Sequence, residues 1–173
     1  MFENLFRLDG KVAVVTGAGN GLGRSFSLGL AAFGATVVCA DRNLAGADET
    51  ASLAKQSRGK AEPAHVDVAD EKSVDQLWKE IEATYGRVDI LINNAGINTN
   101  AMRTHEYSVA DWDRLMAINL RGVFLTTRKA LALMAEQPSM IKRPVLDLGP
   151  KRVVGFKPDI YAKEVPAKAR QKG

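Results

Sequence analysis

The chain has 173 residues, of which 46% are apolar, a formal net charge of +4 and a single cysteine, Cys39. This length and composition suit one buried core, and a lone cysteine excludes a disulfide framework within the chain. No apolar run approaches the roughly 18 residues that span a membrane and no signal peptide is recognisable, so we expect a cytoplasmic protein without a membrane partner.

The first predicted strand covers residues 11–15 and leads into a glycine-rich turn at 16–23. An unbroken, β-branched run is typical of a parallel strand covered on both faces. Gly17 permits the sharp turn, Gly21 lets the backbone approach a pyrophosphate, and Gly23 lets the next helix pack close to the strand. The N–H groups of that helix start face the phosphates. The predicted phosphate site comprises Gly17, Asn20, Gly21, Leu22 and Gly23.

A second strand is predicted over residues 36–40, with Asp41 at its carboxyl end. A carboxylate about 20 residues beyond a glycine turn holds a ribose 2′-hydroxyl in dinucleotide-binding units. Because a carboxylate repels a 2′-phosphate, Asp41 favours NAD over NADP, although the neighbouring Arg42 offers a partner for that phosphate. Together with the glycine turn, this strand predicts a βαβ unit whose cofactor is NAD.

Two further strands, over residues 61–66 and 89–92, continue the alternation of strands and helices. Between them, residues 71–85 carry Val74, Leu77, Trp78 and Ile81 at helical spacing, which predicts a stripe that faces the core. The alternation predicts an α/β fold with a Rossmann-like, doubly wound parallel sheet.

The glycine turn, spaced Thr-Gly-x-x-x-Gly-x-Gly, resembles the signature of the short-chain dehydrogenase/reductase family. Further motifs of that family follow in order, so the resemblance covers about the first 130 residues. They are His-Val-Asp-Val at 65–68, Asn-Asn-Ala-Gly at 93–96, and a helix that carries Trp112 and Asn119. The resemblance implies an NAD(P)-dependent oxidoreductase of alcohols or ketones.

The resemblance also implies roles for residues of the later motifs. Asp67 and Val68 are implied to lie against the adenine, and Asn119 to be the asparagine of the catalytic tetrad. The wall near the nicotinamide ribose is implied to be formed by Asn93, Asn94, Ala95 and Gly96. Structural alternatives remain open: a helix cap for Asp67, a turn for Asn93 and Asn94, and a hydrogen-bonded helix residue for Asn119.

The residues after Asn119 do not continue the catalytic pattern of the family, which has a serine and then Tyr-x-x-x-Lys. The residues four positions after the three tyrosines are Asp89, Asp111 and Val165. The spacing matters because residues four apart share a helix face, where lysine lowers the tyrosine pKa. Lys163 follows Tyr161 by only two positions, about 200° around a helix. We therefore expect impaired catalysis.

The last residues differ in composition from the rest of the chain. From residue 137 onward lie five of the six prolines and nine Lys or Arg against three Asp or Glu. Because the basic residues are not interleaved with aromatic ones, we predict no nucleic-acid partner. Residues 130–156 resemble the carboxyl end of arsenate-reductase-like proteins, in which a helix leads through Lys-Arg-Pro into a β-hairpin. Strands are predicted at 145–148 and 152–156, around a turn at 149–150.

The sequence therefore predicts two segments. Residues 1–134 form a dinucleotide-binding domain, truncated after the fourth strand and its helix, and residues 135–173 form a hairpin and basic tail on or beside that domain. We interpret the chain as a chimera that binds nicotinamide dinucleotide with impaired catalysis; the alternative is a recombined or engineered hybrid without evolved activity. Cys39 is expected to be a buried apolar residue. No metal site is predicted, and a homo-oligomer is compatible with the sequence.

Overall fold

The computed structural model describes residues 6–98, 103–135, 145–147 and 152–154. The chain divides into two compact units, Met1–Glu136 and Gln137–Gly173. The predicted turn at 149–150 and the basic tail after residue 154 lie outside the described residues. The predicted placement of residues 135–173 on or beside the first domain stays a prediction.

The first unit contains a four-stranded parallel sheet in the order β3-β2-β1-β4. Its strands are Val12–Thr16 (β1), Thr36–Asp41 (β2), Lys60–His65 (β3) and Ile90–Ile92 (β4). The helices are Gly21–Ala32 (α1), Leu44–Gln56 (α2), Glu71–Tyr85 (α3), Val109–Met116 (α4) and Val123–Ala135 (α5). A 3-10 turn covers Thr104–Glu106, and a π-helical segment, Ala117–Gly122, joins α4 to α5.

Two apolar cores lie on opposite faces of this sheet, because successive strand residues point to opposite sides. Val12 and Val14 of β1 belong to the core that contains the predicted stripe of α3. Ala13 and Val15 belong to the other core, which contains alanines of α1 and α2. Helices therefore cover both faces, and the predicted α/β, Rossmann-like, doubly wound sheet is confirmed.

Cys39 lies in the second of these cores and is fully buried. Burial raises the pKa of its thiol, since the charged thiolate loses its hydration. The expectation of a small, buried apolar residue is confirmed.

The second unit contains a separate two-stranded sheet. Val145–Asp147 (β5) pairs antiparallel with Arg152–Val154 (β6), with Val145 opposite Val154. The predicted strand pair is confirmed over these residues, and residues 148 and 155–156 of the predicted strands lie outside the described residues. In the part of the chain that the structure describes, no helix is long and apolar enough to cross a membrane.

A buried carboxylate, Asp89, fixes the start of β4 against β1. Its side chain is 4% exposed and accepts hydrogen bonds from Lys11 Nζ, the Val12 N–H and Arg87 Nε, each at 2.9 Å. Burial opposes ionisation of this carboxyl, but the bonds from Arg87, Val12 and Lys11 outweigh it and hold the Asp89 pKa below its ordinary value.

We expect Asp89→Asn to lower the free energy of unfolding at neutral pH by about 2 kcal/mol, because hydrogen bonds to a charged group are lost. Since the folded-state pKa is depressed, this stabilisation is present above the unfolded pKa, about 4, and disappears as pH falls through the folded pKa. Urea unfolding across pH measures both effects. The control is Glu62→Gln, which breaks an exposed ion pair with Lys55; equal effects of the two variants would contradict the prediction.

Candidate functional site

A cleft of about 500 Å³ lies at the carboxyl ends of all four parallel strands. Ligands of open α/β sheets bind at this edge. The residues that line it are Gly17, Asn20, Leu22, Asp41, Arg42, Asn43, Val66, Asp67, Val68, Asn94, Ala95, Gly96, Ile97 and Ile118. Most of the predicted site residues are thereby brought together; the lining does not include Gly21, Gly23, Asn93 and Asn119.

The glycine turn between β1 and α1 is packed too tightly for side chains at Gly17, Gly19 and Gly23. Gly17 has φ +66°, and a Cβ there would lie 2.8 Å from Ala95 Cα. A Cβ at Gly23 would overlap the carbonyl oxygen of Gly17, so Gly23 has the packing role that the sequence predicts. Gly21, with φ +52°, faces open space. The turn is therefore packed against the residues after β4 at Gly17, whereas space remains beside Gly21 at the start of α1.

The start of α1 leaves its N–H groups available to a ligand. The N-cap residue Asn20 makes no side-chain capping bond, and no acidic residue lies in the first turn. The first N–H groups of a helix have no partner within it and carry partial positive charge. This donor set fits a pyrophosphate, which is the group that the sequence predicts here.

Asp41 presents an ionisable carboxyl at the end of β2. Its Oδ2 accepts the Gly19 N–H and its Oδ1 accepts the Asn43 N–H, both at 2.8 Å. Each oxygen of a carboxylate retains a further lone pair, so Asp41 can also accept hydroxyl protons of a ribose. The exposed Arg42 lines the same cleft. Both groups on which the choice between NAD and NADP depends are therefore present at the site.

The two neighbouring asparagines after β4 point in different directions. Asn94 lines the cleft, and its Nδ2 donates to the carbonyls of Thr16 and Gly17, at 3.0 Å each. Asn93 instead contacts α5: its Oδ1 accepts from Thr126 Oγ1 at 2.6 Å and its Nδ2 donates to Thr127 Oγ1 at 2.9 Å. Of the four motif residues implied to form the wall, Asn94, Ala95 and Gly96 line the cleft, whereas Asn93 does not.

Asn119 lies in the π-helical segment, a geometry that often marks functional sites. Its carboxamide pairs with the backbone of Ile97: the Ile97 N–H donates to Oδ1 at 2.9 Å, and Nδ2 donates to the Ile97 carbonyl at 2.8 Å. Ile97 and Ile118 line the cleft. Asn119 thus holds the wall of the cleft beyond β4 without lining it.

The segment after β3 forms the remaining wall. Asp67 Oδ1 accepts the Ala69 N–H at 2.9 Å, whereas the residue that caps α3 is Asp70. Val68 packs against the π-helical segment, since a Cβ at Gly122 would lie 2.9 Å from Val68 Cγ2. Among the described residues, no group of three or more His, Cys, Asp or Glu could hold a metal ion.

Comparisons with known proteins identify the family. The sequence profile described as "short chain dehydrogenase" matches residues 11–140, so the match extends past the predicted limit near 130. An uncharacterized oxidoreductase, YxbG of Bacillus subtilis, is 39% identical over 135 residues, 78% of this chain and 50% of that protein. D-threitol dehydrogenase of Mycolicibacterium smegmatis is 43% identical over 120 residues, 69% of this chain and 46% of that protein.

Solved structures agree with this assignment. A short-chain type dehydrogenase/reductase from Mycobacterium marinum superposes with a TM-score of 0.76 at 31% identity, covering 80% of this chain and 56% of that one. A metagenomic short-chain oxidoreductase in complex with NADP gives 0.73 at 31% identity, covering 76% and 59%. The chain spans about half the length of the curated relatives it matches. It belongs to the short-chain dehydrogenase/reductase family.

Proposed function

We propose that this chain binds a nicotinamide dinucleotide in the cleft and prefers NAD(H) to NADP(H). The observation that supports the proposal is that one cleft combines the uncapped start of α1 with the Asp41 carboxylate. The first is suited to a pyrophosphate and the second to a ribose hydroxyl. A 2′-phosphate beside Asp41 would be repelled, and this repulsion is the basis of the preference.

The remaining walls fit the two ends of such a cofactor. Val66, Asp67 and Val68 would hold the adenine end, while Ala95 and Gly96, backed by the bonds between Asn119 and Ile97, would hold the nicotinamide end. When bound, the cofactor supplies or accepts the hydride. The chain's own contribution is to bind and orient it.

We further propose that these 173 residues carry out hydride transfer poorly. Moving a hydride between a cofactor and an alcohol or ketone also requires a group that moves the hydroxyl proton. No tyrosine of this sequence has a lysine four positions later. Asn119 remains, but both polar atoms of its side chain are engaged by Ile97. The proposal is a dinucleotide-binding protein of dehydrogenase type whose proton-transfer residues are missing.

We expect isothermal titration calorimetry to give a lower Kd for NAD(H) than for NADP(H). We expect Asp41→Ala to reduce this preference about tenfold, which corresponds to about 1.4 kcal/mol, because the charge that repels the 2′-phosphate is removed. Asp48→Ala is the matched control, since it removes an exposed carboxylate of α2 that does not line the cleft. Tighter binding of NADP(H) by the unaltered chain would refute the role of Asp41.

A second candidate is a recombined or engineered hybrid without evolved activity. It is favoured by the change in composition from residue 137, close to residue 140, where the family match stops. In this proposal the last 40 or so residues derive from an arsenate-reductase-like parent. The same calorimetry distinguishes the candidates: selective NAD(H) binding supports the first, and no binding of either dinucleotide supports the second.

A further inference from the structure

Arg24 lies in the first turn of α1. It is hydrogen-bonded to the glycine turn on the side of α2, away from β4. Its Nη2 donates to the Gly19 carbonyl at 2.7 Å, and its Nε donates to Thr50 Oγ1 of α2 at 3.1 Å. The same guanidinium forms an ion pair with Glu49 at 2.6 Å. The Arg24 side chain is 26% exposed, so these bonds are partly shielded from water. Arg24 therefore connects the turn to α2.

Gly19 links Arg24 to Asp41, because its backbone is hydrogen-bonded to both side chains. Its carbonyl accepts from Arg24 and its N–H donates to Asp41 Oδ2 at 2.8 Å. Arg24 and Asp41 thus hold the two polar backbone groups of one residue, and a change in the position of Gly19 alters the geometry at the carboxylate.

Gly19 is in close contact with Asp41 and Gly46, so a shift of Gly19 is felt by both. A Cβ at Gly19 would lie 2.9 Å from Asp41 Oδ2, and a Cβ at Gly46 would lie 3.1 Å from the Gly19 carbonyl oxygen. Thr50, which is fully buried, also donates to the Ala18 carbonyl at 2.8 Å. The turn therefore contacts both the end of β2 and α2, and a shift of Gly19 would be transmitted to Asp41.

We propose that Arg24 is a positioning residue for the discrimination between NAD(H) and NADP(H), acting through Gly19 on the Asp41 carboxylate. The inference rests on the proposed function. With Gly19 released, the Asn43 N–H is the donor that would still hold the carboxylate among the described residues. Because repulsion between charges weakens with distance, a carboxylate free to turn away would disfavour a 2′-phosphate less.

The test is the ratio of the NADP⁺ and NAD⁺ dissociation constants, measured by calorimetry for the full chain. We expect Arg24→Met, which keeps the length of the side chain and removes its donors, to lower this ratio about three- to tenfold, at most the effect of Asp41→Ala, because Arg24 acts through the Asp41 carboxylate. Arg24→Lys should lower it less, since a single ammonium cannot reach all three partners with the geometry of a guanidinium.

The direction in which the ratio of dissociation constants changes distinguishes a positioning role of Arg24 from two simpler roles. If Arg24 acted only as a positive charge, its loss would weaken the more negative NADP⁺ more than NAD⁺ and would raise the ratio. If it acted only on folding, both affinities would fall and the ratio would stay constant. Either result would overturn the inference. Should Arg24→Met not fold, as judged by thermal unfolding, Arg24→Lys is used instead: because lysine keeps the charge, a lower ratio supports positioning, and an unchanged ratio overturns it.

Two further variants localise the effect. Glu49→Gln removes the exposed ion-pair partner and leaves the bonds of Arg24 to Gly19 and Thr50, so the ratio should not change. The double variant Arg24→Met/Asp41→Ala should have the ratio of Asp41→Ala alone, because coupled residues are not additive.

The outcomes distinguish this inference from the proposed function. If Asp41→Ala lowers the ratio and Arg24→Met does not, the role of Arg24 is refuted while the proposed function stands. If the unaltered chain binds neither dinucleotide, both are refuted.

Discussion

Replacing Gly23 with alanine is expected to abolish dinucleotide binding and to lower the free energy of unfolding by about 3 kcal/mol, at the upper end for an overpacked site. The added methyl group would overlap the carbonyl oxygen of Gly17 and lie 2.6 Å from Asn94 Nδ2. These two groups are hydrogen-bonded to each other. The methyl group would therefore separate the turn from the wall of β4, and the start of α1 would shift away from the pyrophosphate site.

Gly29→Ala is the matched control, because it makes the same substitution in the same helix. A Cβ at Gly29 would meet nothing within 4 Å. Since alanine favours a helix over glycine, we expect the control to raise the free energy of unfolding by about 0.5–1 kcal/mol and to leave binding unchanged. Calorimetry and urea unfolding measure both quantities. Binding by Gly23→Ala with the affinity of the unaltered chain would show that the turn does not position the cofactor.

The fold was predictable because its strongest signals are local. The β-branched run of β1 and the glycines that follow it specify a strand, a turn and a helix start without reference to distant residues. Strand β3 includes Pro63, and a proline is tolerated only where a strand donates no ladder bond. The structure places β3 at the edge of the sheet, which explains why it tolerates the proline.

The sequence predicts a residue of the candidate site only where the residue's place in a strand or turn determines its place in the fold. Asp41 ends a strand, so its place at the cleft follows from parallel topology. The opposite orientations of Asn93 and Asn94 depend on how β4 ends, which the four motif letters do not specify. The role of Arg24 could not be predicted from the sequence, because its contacts with Gly19 and Thr50 form only when α1 and α2 pack together.

The purified chain, given saturating NAD(H), is expected to show no turnover of secondary alcohols or ketones above background. A positioned general acid or base contributes about 10²- to 10⁴-fold to such reactions, and a group that polarises the carbonyl contributes further. The family pattern supplies these groups as serine and Tyr-x-x-x-Lys, whereas Tyr161 of this chain has Val165 four positions later. Tyr161 and Val165 lie outside the described residues, so the expectation follows from their spacing alone.

The assay is the absorbance of NADH against time over a panel of secondary alcohols and ketones. Calorimetry on the same preparation establishes first that the cofactor is bound, so that absent turnover reports on chemistry and not on binding. Tyr161→Phe is the control variant, since it removes only the hydroxyl group that would move the proton, and it should leave the background rate unchanged. Robust turnover by the unaltered chain, abolished in Tyr161→Phe, would show that Tyr161 acts as the acid or base without a lysine four residues away. It would overturn the proposed loss of proton transfer while leaving the assignment of the cofactor cleft in place.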